Sequence, residues 1–279
     1  MVSMPKEKLV LSASRRVEIL RYPERFLKAL DQYSPEQVHS IVLWTKTPHL
    51  LFENRRLLKR LLEYDQIYCH ITITGLGSSF LEPNTQPYQE TIDLLPKIID
   101  FVKIPERVNI RFDPILNLID KNGITLSNFN LFPEIAEQCK EHGITEFTIS
   151  WVTAYKKVQS RLSALDFVKF EADDNLKEKQ AEQLNAWAKA LGIHIKGCCT
   201  QPFFSSYGCI NGKLLTELHP KKEKCTLQKP TGQRPLCVCT KSRDIGWYYS
   251  CPNGCAYCYG QPKFDLNRLL KLKEENTWT

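Results

Sequence analysis

Cys251-Pro-Asn-Gly-Cys255-Ala-Tyr-Cys258 places three thiols within eight residues, in a C-x3-C-x2-C spacing on a turn that contains a glycine. Three thiolates wrapped this closely can grip a cubane cluster, and the glycine supplies the backbone freedom that such a loop requires. Thiolates are soft donors suited to iron–sulfur clusters or zinc; a structural zinc site normally shows two short cysteine pairs instead of three ligands in one loop. Free thiols are the third alternative. The chain has eleven cysteines, and nine of them fall between Cys198 and Cys258. Cys237 and Cys239, with Cys209 and Cys225 upstream, could ligate a second metal or auxiliary cluster, close the fourth position of the first, form a protective redox pair, or remain free. Cys198 and Cys199 end a strand, where alternation turns one toward each face, so both are expected as small apolar core residues.

The elements that must position these groups follow from periodicity. Short β-branched or aromatic runs alternate with longer amphipathic segments over the first 200 residues, the pattern of repeated βα units. Strands are expected at Leu9–Ser12, Ser40–Lys46, Tyr68–Thr74, Val108–Arg111, Glu146–Trp151 and Ile193–Cys199. Helices are expected at Pro23–Gln32, Asn54–Tyr64, Gln89–Lys103, Phe132–His142 and Leu176–Leu191. The strand centres are nearly continuous apolar runs, which suits a parallel sheet covered on both faces. From Thr200 to Arg243 the periodicity fails. Asp244–Ser250 then reads as an aromatic strand, Cys251–Gly260 as a loop and Asp265–Glu275 as a helix, one further βα unit with the cysteines in its turn. The expected fold is a single α/β domain over residues 1–279, a TIM-like (β/α) barrel, partial or complete, with a cysteine-rich segment at 200–260.

In such barrels the active site forms at the C-terminal ends of the strands. Arg15, Arg16, Lys46, Arg111 and Asp113 are expected there as catalytic candidates. Arg111 and Asp113 lie two apart on an extended run, so they point the same way if Ile110 and Phe112 face the helices. The plainer reading of that pair is a buried ion pair closing the barrel. Trp44, Trp151 and Tyr257 could stack on an adenine or pack in the core. His70 and His142 lack metal-ligand spacing and are read as structural or surface residues.

Composition sets the outer bounds. A chain of 279 residues with 42% hydrophobic and 25% charged residues is ordinary for a globular protein. Nothing in it approaches the roughly 20 apolar residues of a membrane span. Met1–Val10 lacks the apolar stretch of a secretory signal, so a cytoplasmic location is expected, with no membrane partner. The formal charge of +7 fits an anionic small molecule or nucleic acid as substrate, and equally neither.

The cysteine spacing, with an aromatic residue just before the last cysteine, resembles the signature of radical S-adenosylmethionine enzymes. That resemblance implies a [4Fe–4S] cluster on the three cysteines, whose fourth iron chelates the amino and carboxylate groups of S-adenosylmethionine. Reduction then cleaves the sulfonium to a 5′-deoxyadenosyl radical. It also implies a reductant protein such as a flavodoxin or ferredoxin. Superfamily members carry the motif after the first barrel strand; here it follows the last, a circularly permuted arrangement. In barrel order the next strand is then the N-terminal one, ending at Ser12–Arg16. The superfamily places a Gly-Gly-Glu stretch there to bind the cofactor's amino group, whereas Ser12-Ala-Ser-Arg-Arg16 has neither the glycines nor the carboxylate, leaving Asp113 as the acid nominated to replace it.

A longer resemblance runs from about residue 8 to residue 260. Ser12-Ala-Ser-Arg-Arg16, Trp44-Thr-Lys-Thr-Pro48, Thr72-Ile-Thr-Gly75, Arg111-Phe-Asp-Pro114, Gln233-Arg234, Cys237-x-Cys239, Asp244-Ile-Gly246 and the final cysteines resemble an uncharacterised bacterial domain-of-unknown-function family. That family is noted for a C-terminal cysteine cluster similar to that of radical enzymes, and the resemblance implies no substrate. Two alternatives stand beside radical chemistry: an iron–sulfur redox or repair-like activity on nucleic acid without S-adenosylmethionine, and a binding module stapled by zinc.

Overall fold

The computed structural model describes residues 7–203 and 207–275; residues 1–6, 204–206 and 276–279 lie outside it, so the reading of Met1–Val10 is only partly covered. Among the described residues there are ten strands: β1 Leu9–Ala13, β2 Val38–Thr45, β3 Ile67–Thr72, β4 Val108–Ile115, β5 Asn117–Asp120, β6 Thr125–Ser127, β7 Glu146–Trp151, β8 Phe167–Lys169, β9 His194–Gly197 and β10 Arg243–Asp244. The α-helices are α1 Pro23–Leu30, α2 His49–Glu53, α3 Arg55–Leu61, α4 Tyr88–Asp93, α5 Leu95–Val102, α6 Phe132–Glu141, α7 Lys156–Ala164, α8 Asp174–Leu191, α9 Gly212–Leu218 and α10 Leu266–Glu275.

Seven strands form one parallel sheet in the order β10-β1-β2-β3-β4-β7-β9. The mixed α/β class and the parallel sheet agree with the sequence. A complete barrel does not: among the described residues β9 and β10 are the two edges, and the sheet stays open. The C-terminal strand β10 lies beside the N-terminal strand, with Leu11 opposite Arg243 and Ser12 opposite Asp244.

Alternation along the strands separates two surfaces. Leu11, Ala13, Ile41, Leu43, Ile67, Cys69, Ile71, Ile110, Phe112, Phe147 and Ile149 all join one apolar core with the helices. The residues between them face the other way, and many are polar: Ser12, Trp44, His70, Asn109, Arg111 and Thr148 are all buried. The irregular segment after β9 covers this second face. Cys209, Ile210, Leu215, Cys225 and Cys239 pack on Val10, Val42, Trp44 and Tyr68. His70 bonds the Cys209 carbonyl at 2.8 Å, and Gln66 donates to the Leu215 carbonyl at 2.9 Å. Burying polar strand residues is tolerable here because the covering segment offers them partners.

Local differences from the sequence reading have physical causes. The expected helix Gln89–Lys103 is two helices: Pro96 has no N–H to give the carbonyl four residues earlier, and it sits in the first turn of α5 instead. The expected strand Asp244–Ser250 keeps only Arg243–Asp244 as β10. Its aromatics leave the sheet, and Trp247 and Tyr249 pack around Tyr22 and the Arg25 guanidinium at the start of α1. The segment Thr200–Arg243 is mostly irregular but holds α9, capped by the Asn211 side chain. A small antiparallel sheet, β6-β5-β8, is an element absent from the sequence reading. Among the described residues no helix is long and apolar enough to cross a membrane.

Candidate metal centre

The cysteine loop leaves the sheet edge beside β1 and plunges into a second apolar cluster. Cys255, Ala256 and Tyr257 pack there with Leu76, Phe80, Leu81, Val158, Leu162 and Leu269, so α7 and α10 clamp the loop. Hydrogen bonds fix its path. The Ala256 N–H donates to the Leu81 carbonyl at 3.0 Å, Arg161 donates to the carbonyls of Ala256 and Cys258, and Asn84 donates to the Pro252 carbonyl at 2.7 Å. Arg21 reaches the Asn253 side chain at 3.1 Å and the Asn84 carbonyl at 2.6 Å. Gly254 turns the chain at φ +70°, and a Cβ there would approach the Lys263 carbonyl oxygen to 3.0 Å.

Cys258 lies close enough to raise the pKa of both Cys251 and Cys255. Burial pushes Cys251 up to about 11 and Cys255 well above the ordinary thiol value. Free, these two are neutral at pH 7; ligation by a metal would deprotonate them. Among the described residues no three cysteine sulfurs lie within 4.8 Å of one another, so the loop as folded is not a closed mononuclear site. Three soft thiol donors in one loop are the donor chemistry an iron–sulfur cluster takes.

Two carboxylates flank the loop, and neither is singled out by the sequence. Glu18 follows β1 and is 6% exposed; its Oε2 accepts from the Lys46 N–H at 2.7 Å, while Oε1 is buried with no hydrogen-bond partner. The Glu18 backbone lies close enough to the Cys251 thiol to act against the rise of its pKa. Burial raises the Glu18 pKa despite the hydrogen bond from Lys46. Glu82 is buried on the other side, ion-paired with the Lys46 ammonium at 2.9 Å and hydrogen-bonded by Thr74, Thr85 and Tyr257. Burial alone would raise Glu82, but Lys46 and these donors hold it below the ordinary carboxylate value. Burial likewise works against the Lys46 charge, and Glu82 and Cys255 more than offset it. Lys46 directly follows β2, at the strand end where it is expected, and is held beside Cys255 by a partner absent from the sequence reading.

The remaining candidates divide. Arg16 pairs loosely with Asp244 at 3.6 Å and stacks on Tyr248; Arg15 lies 5.6 Å from the Trp44 ring. Trp44 is buried, stacked on His70 at 4.0 Å and also 5.0 Å from the Arg111 guanidinium, so its ring is engaged in packing. Tyr257 donates to Glu82 and accepts from Lys46 at 2.9 Å, which makes it part of the carboxylate network. Arg111 and Asp113 point the same way, with Ile110 and Phe112 in the helix-side core, as expected. Both lie within β4, which runs on to Ile115, whereas the expected strand ends at Arg111 and leaves Asp113 beyond it. Asp113 is bound by Arg111 and Ser150, which removes it as the free acid near the thiol loop; Glu18 has that property. His70 is structural: burial lowers its pKa, and both ring nitrogens are engaged.

Cys237 and Cys239 lie outside the loop, in contact with other thiols: Cys239 with Cys209, and Cys237 with Cys199. Cys225 packs in the same cluster, but the groups that act on its thiol are Thr226 and Glu7 and its N–H donates to Thr216. Among the described residues Asp65, His219 and Glu223 do gather within 4.8 Å, but Lys221 and Lys8 already neutralise the two carboxylates, and that group is far in sequence from the thiol loop.

Residues 18–260 match the family described as Domain of unknown function (DUF1848), and the chain belongs to that family. No curated protein matches the chain. Two crystal structures of SuiB from Streptococcus suis, one bound to S-adenosylmethionine, resemble it at TM-scores of 0.38 and 0.37 with 14% identity. The aligned regions cover 71% and 77% of this chain and 53% and 52% of the SuiB chains, so the chain spans about half the length of the structures it matches.

Proposed function

We propose that this DUF1848 protein holds an iron–sulfur cluster on Cys251, Cys255 and Cys258 and performs radical S-adenosylmethionine-type chemistry on an anionic substrate. The observation that carries the reading is the juxtaposition of a three-thiol loop with Glu18, a buried carboxylate whose Oε1 has no partner. The cofactor reading asks for an acid at the end of the strand beside the cluster strand, and Glu18 closes the turn after β1. When bound, the cluster would supply the electron that cleaves the sulfonium of S-adenosylmethionine.

The chain's own residues have definite parts in this reading. Glu18 Oε1 would accept an ammonium N–H, a charge-assisted hydrogen bond in a buried site. The Lys46 ammonium, held by Glu82 and Tyr257, would stand beside Cys255 with its own charge already matched by Glu82. Arg15 and Arg16 would give an anionic substrate its counter-charge at the rim. A reductant such as a flavodoxin or ferredoxin would dock near Arg21, Lys263 and Arg268, which line a surface groove of about 370 Å³ beside Pro252.

The test is anaerobic. Protein reconstituted with iron and sulfide, reduced and given S-adenosylmethionine should yield 5′-deoxyadenosine, and the electron paramagnetic resonance signal of the reduced protein should change on adding the cofactor. An unchanged signal with no 5′-deoxyadenosine would overturn the cofactor assignment, and zinc without iron would overturn the cluster.

A further inference from the structure

Five cysteines outside the loop meet against the polar face of the sheet. Cys198 and Cys199 follow β9, Cys209 precedes α9, and Cys237 and Cys239 precede β10. Cys198, Cys209, Cys237 and Cys239 share one packed cluster, and the thiols influence one another in the order Cys237, Cys199, Cys198, Cys209, Cys239. The backbone is shaped to allow this. Adjacent residues on a strand point to opposite faces, but Cys199 has φ +52°, in the left-handed region that non-glycine residues rarely enter, so Cys198 and Cys199 reach each other. At Gly208 a Cβ would lie 2.5 Å from the Cys239 Cα and 2.7 Å from its sulfur, so only glycine lets Cys209 come this close to Cys239.

Two guanidiniums reach the row. Arg111 Nη1 donates to the Cys209 sulfur at 3.2 Å, and Arg234 Nη2 approaches the Cys198 sulfur at 3.8 Å. Arg111 is also paired with Asp113, and ligated thiolates would add negative charge beside it that both guanidiniums can help to offset. The extent of the row selects among soft metals. A tetrahedral zinc ion with bonds of about 2.3 Å requires every pair of sulfurs to lie about 3.8 Å apart. Among the described residues no three cysteine sulfurs gather within 4.8 Å, so the row is not a closed tetrahedral zinc site as folded.

We propose that Cys198, Cys199, Cys209, Cys237 and Cys239 supply the ligands of a second iron–sulfur cluster, with Arg111 and Arg234 as its counter-charges. The site uses none of the loop cysteines, and it stands whether or not the loop takes S-adenosylmethionine. Tyr259, one residue after Cys258, feels the charge of both Cys258 and Cys198, which places it between the two thiol sets.

The test starts from the variant Cys251→Ala/Cys255→Ala/Cys258→Ala, reconstituted anaerobically with iron and sulfide. It should keep iron, acid-labile sulfide and visible charge-transfer absorption, and adding Cys198→Ser and Cys239→Ser should remove all three with an unchanged far-ultraviolet circular dichroism spectrum. Loss of all iron from the loop variant while it stays folded would overturn the proposal, as would zinc bound without sulfide. If the multiple variants fail to fold, the parent decides: the proposal requires more than the roughly four irons of one [4Fe–4S] cluster per chain, and saturation at that content overturns it.

Discussion

Replacing Glu18 by Gln keeps the side chain's shape and its acceptor for the Lys46 N–H, and removes only the charge. A hydrogen bond to a charged group contributes about 1.5–3 kcal/mol. Since about 1.4 kcal/mol is tenfold in affinity, S-adenosylmethionine should bind the reconstituted variant about 10- to 150-fold more weakly. Stability of the metal-free protein should move the other way. Burial raises the folded-state pKa of Glu18 above its ordinary value of 4.5, so the native state binds the proton more tightly than the unfolded chain does. The carboxyl's contribution therefore favours folding below pH 4.5 and declines as pH rises from there through the folded pKa. The amide has no such dependence, so the stability of Glu18→Gln relative to the parent should rise between pH 4.5 and neutrality. Urea unfolding of both proteins across that range measures the stability difference, and isothermal titration of the anaerobic protein measures the affinity. Cofactor affinity equal to the parent's in a folded variant with full iron content would refute the role assigned to Oε1. A relative stability that falls with pH would refute the account of its burial.

Alanine at Cys251, Cys255 or Cys258 should each remove most of the iron bound at the loop, because three protein thiolates leave no spare; full retention in all three, by metal analysis, would exclude the loop as the ligand set. Glu82→Gln leaves the Lys46 ammonium buried without its counter-charge, and loss of one partner from a buried pair costs about 3–5 kcal/mol in urea unfolding. Because the folded pKa of Glu82 lies below its ordinary value of 4.5, its contribution is present above that pH and is lost as pH falls through the folded pKa; the gap between parent and variant should close on acidification. Arg111→Ala should cost about 2–3 kcal/mol, less than a fully buried pair because Asp113 is 21% exposed, and adding Asp113→Ala should recover part of the loss. Tyr257→Phe removes a donor to Glu82 and an acceptor for Lys46, and should destabilise by about 1–3 kcal/mol with the fold unchanged by circular dichroism.

The parallel sheet was legible because strands buried on both faces must be apolar nearly throughout, as in Ile41-Val-Leu-Trp44, and β7 falls at Glu146–Trp151 in both readings. The thiol loop was legible because its ligands are local, three side chains within one turn of backbone. Glu18 and Glu82 carry no such local signal. What distinguishes them from the chain's other acids is burial and the company of Cys251, Lys46 and Tyr257, set by how β1, β2 and the C-terminal loop come together. The same limit applies to Cys198 and Cys199, where strand alternation predicts opposite faces and a single left-handed residue overrules it. Sequence spacing fixes geometry only over distances that a few backbone dihedrals span. Contacts between Cys209 and Cys239, thirty positions apart, depend on the packing of a whole segment against the sheet, and that only the tertiary structure decides.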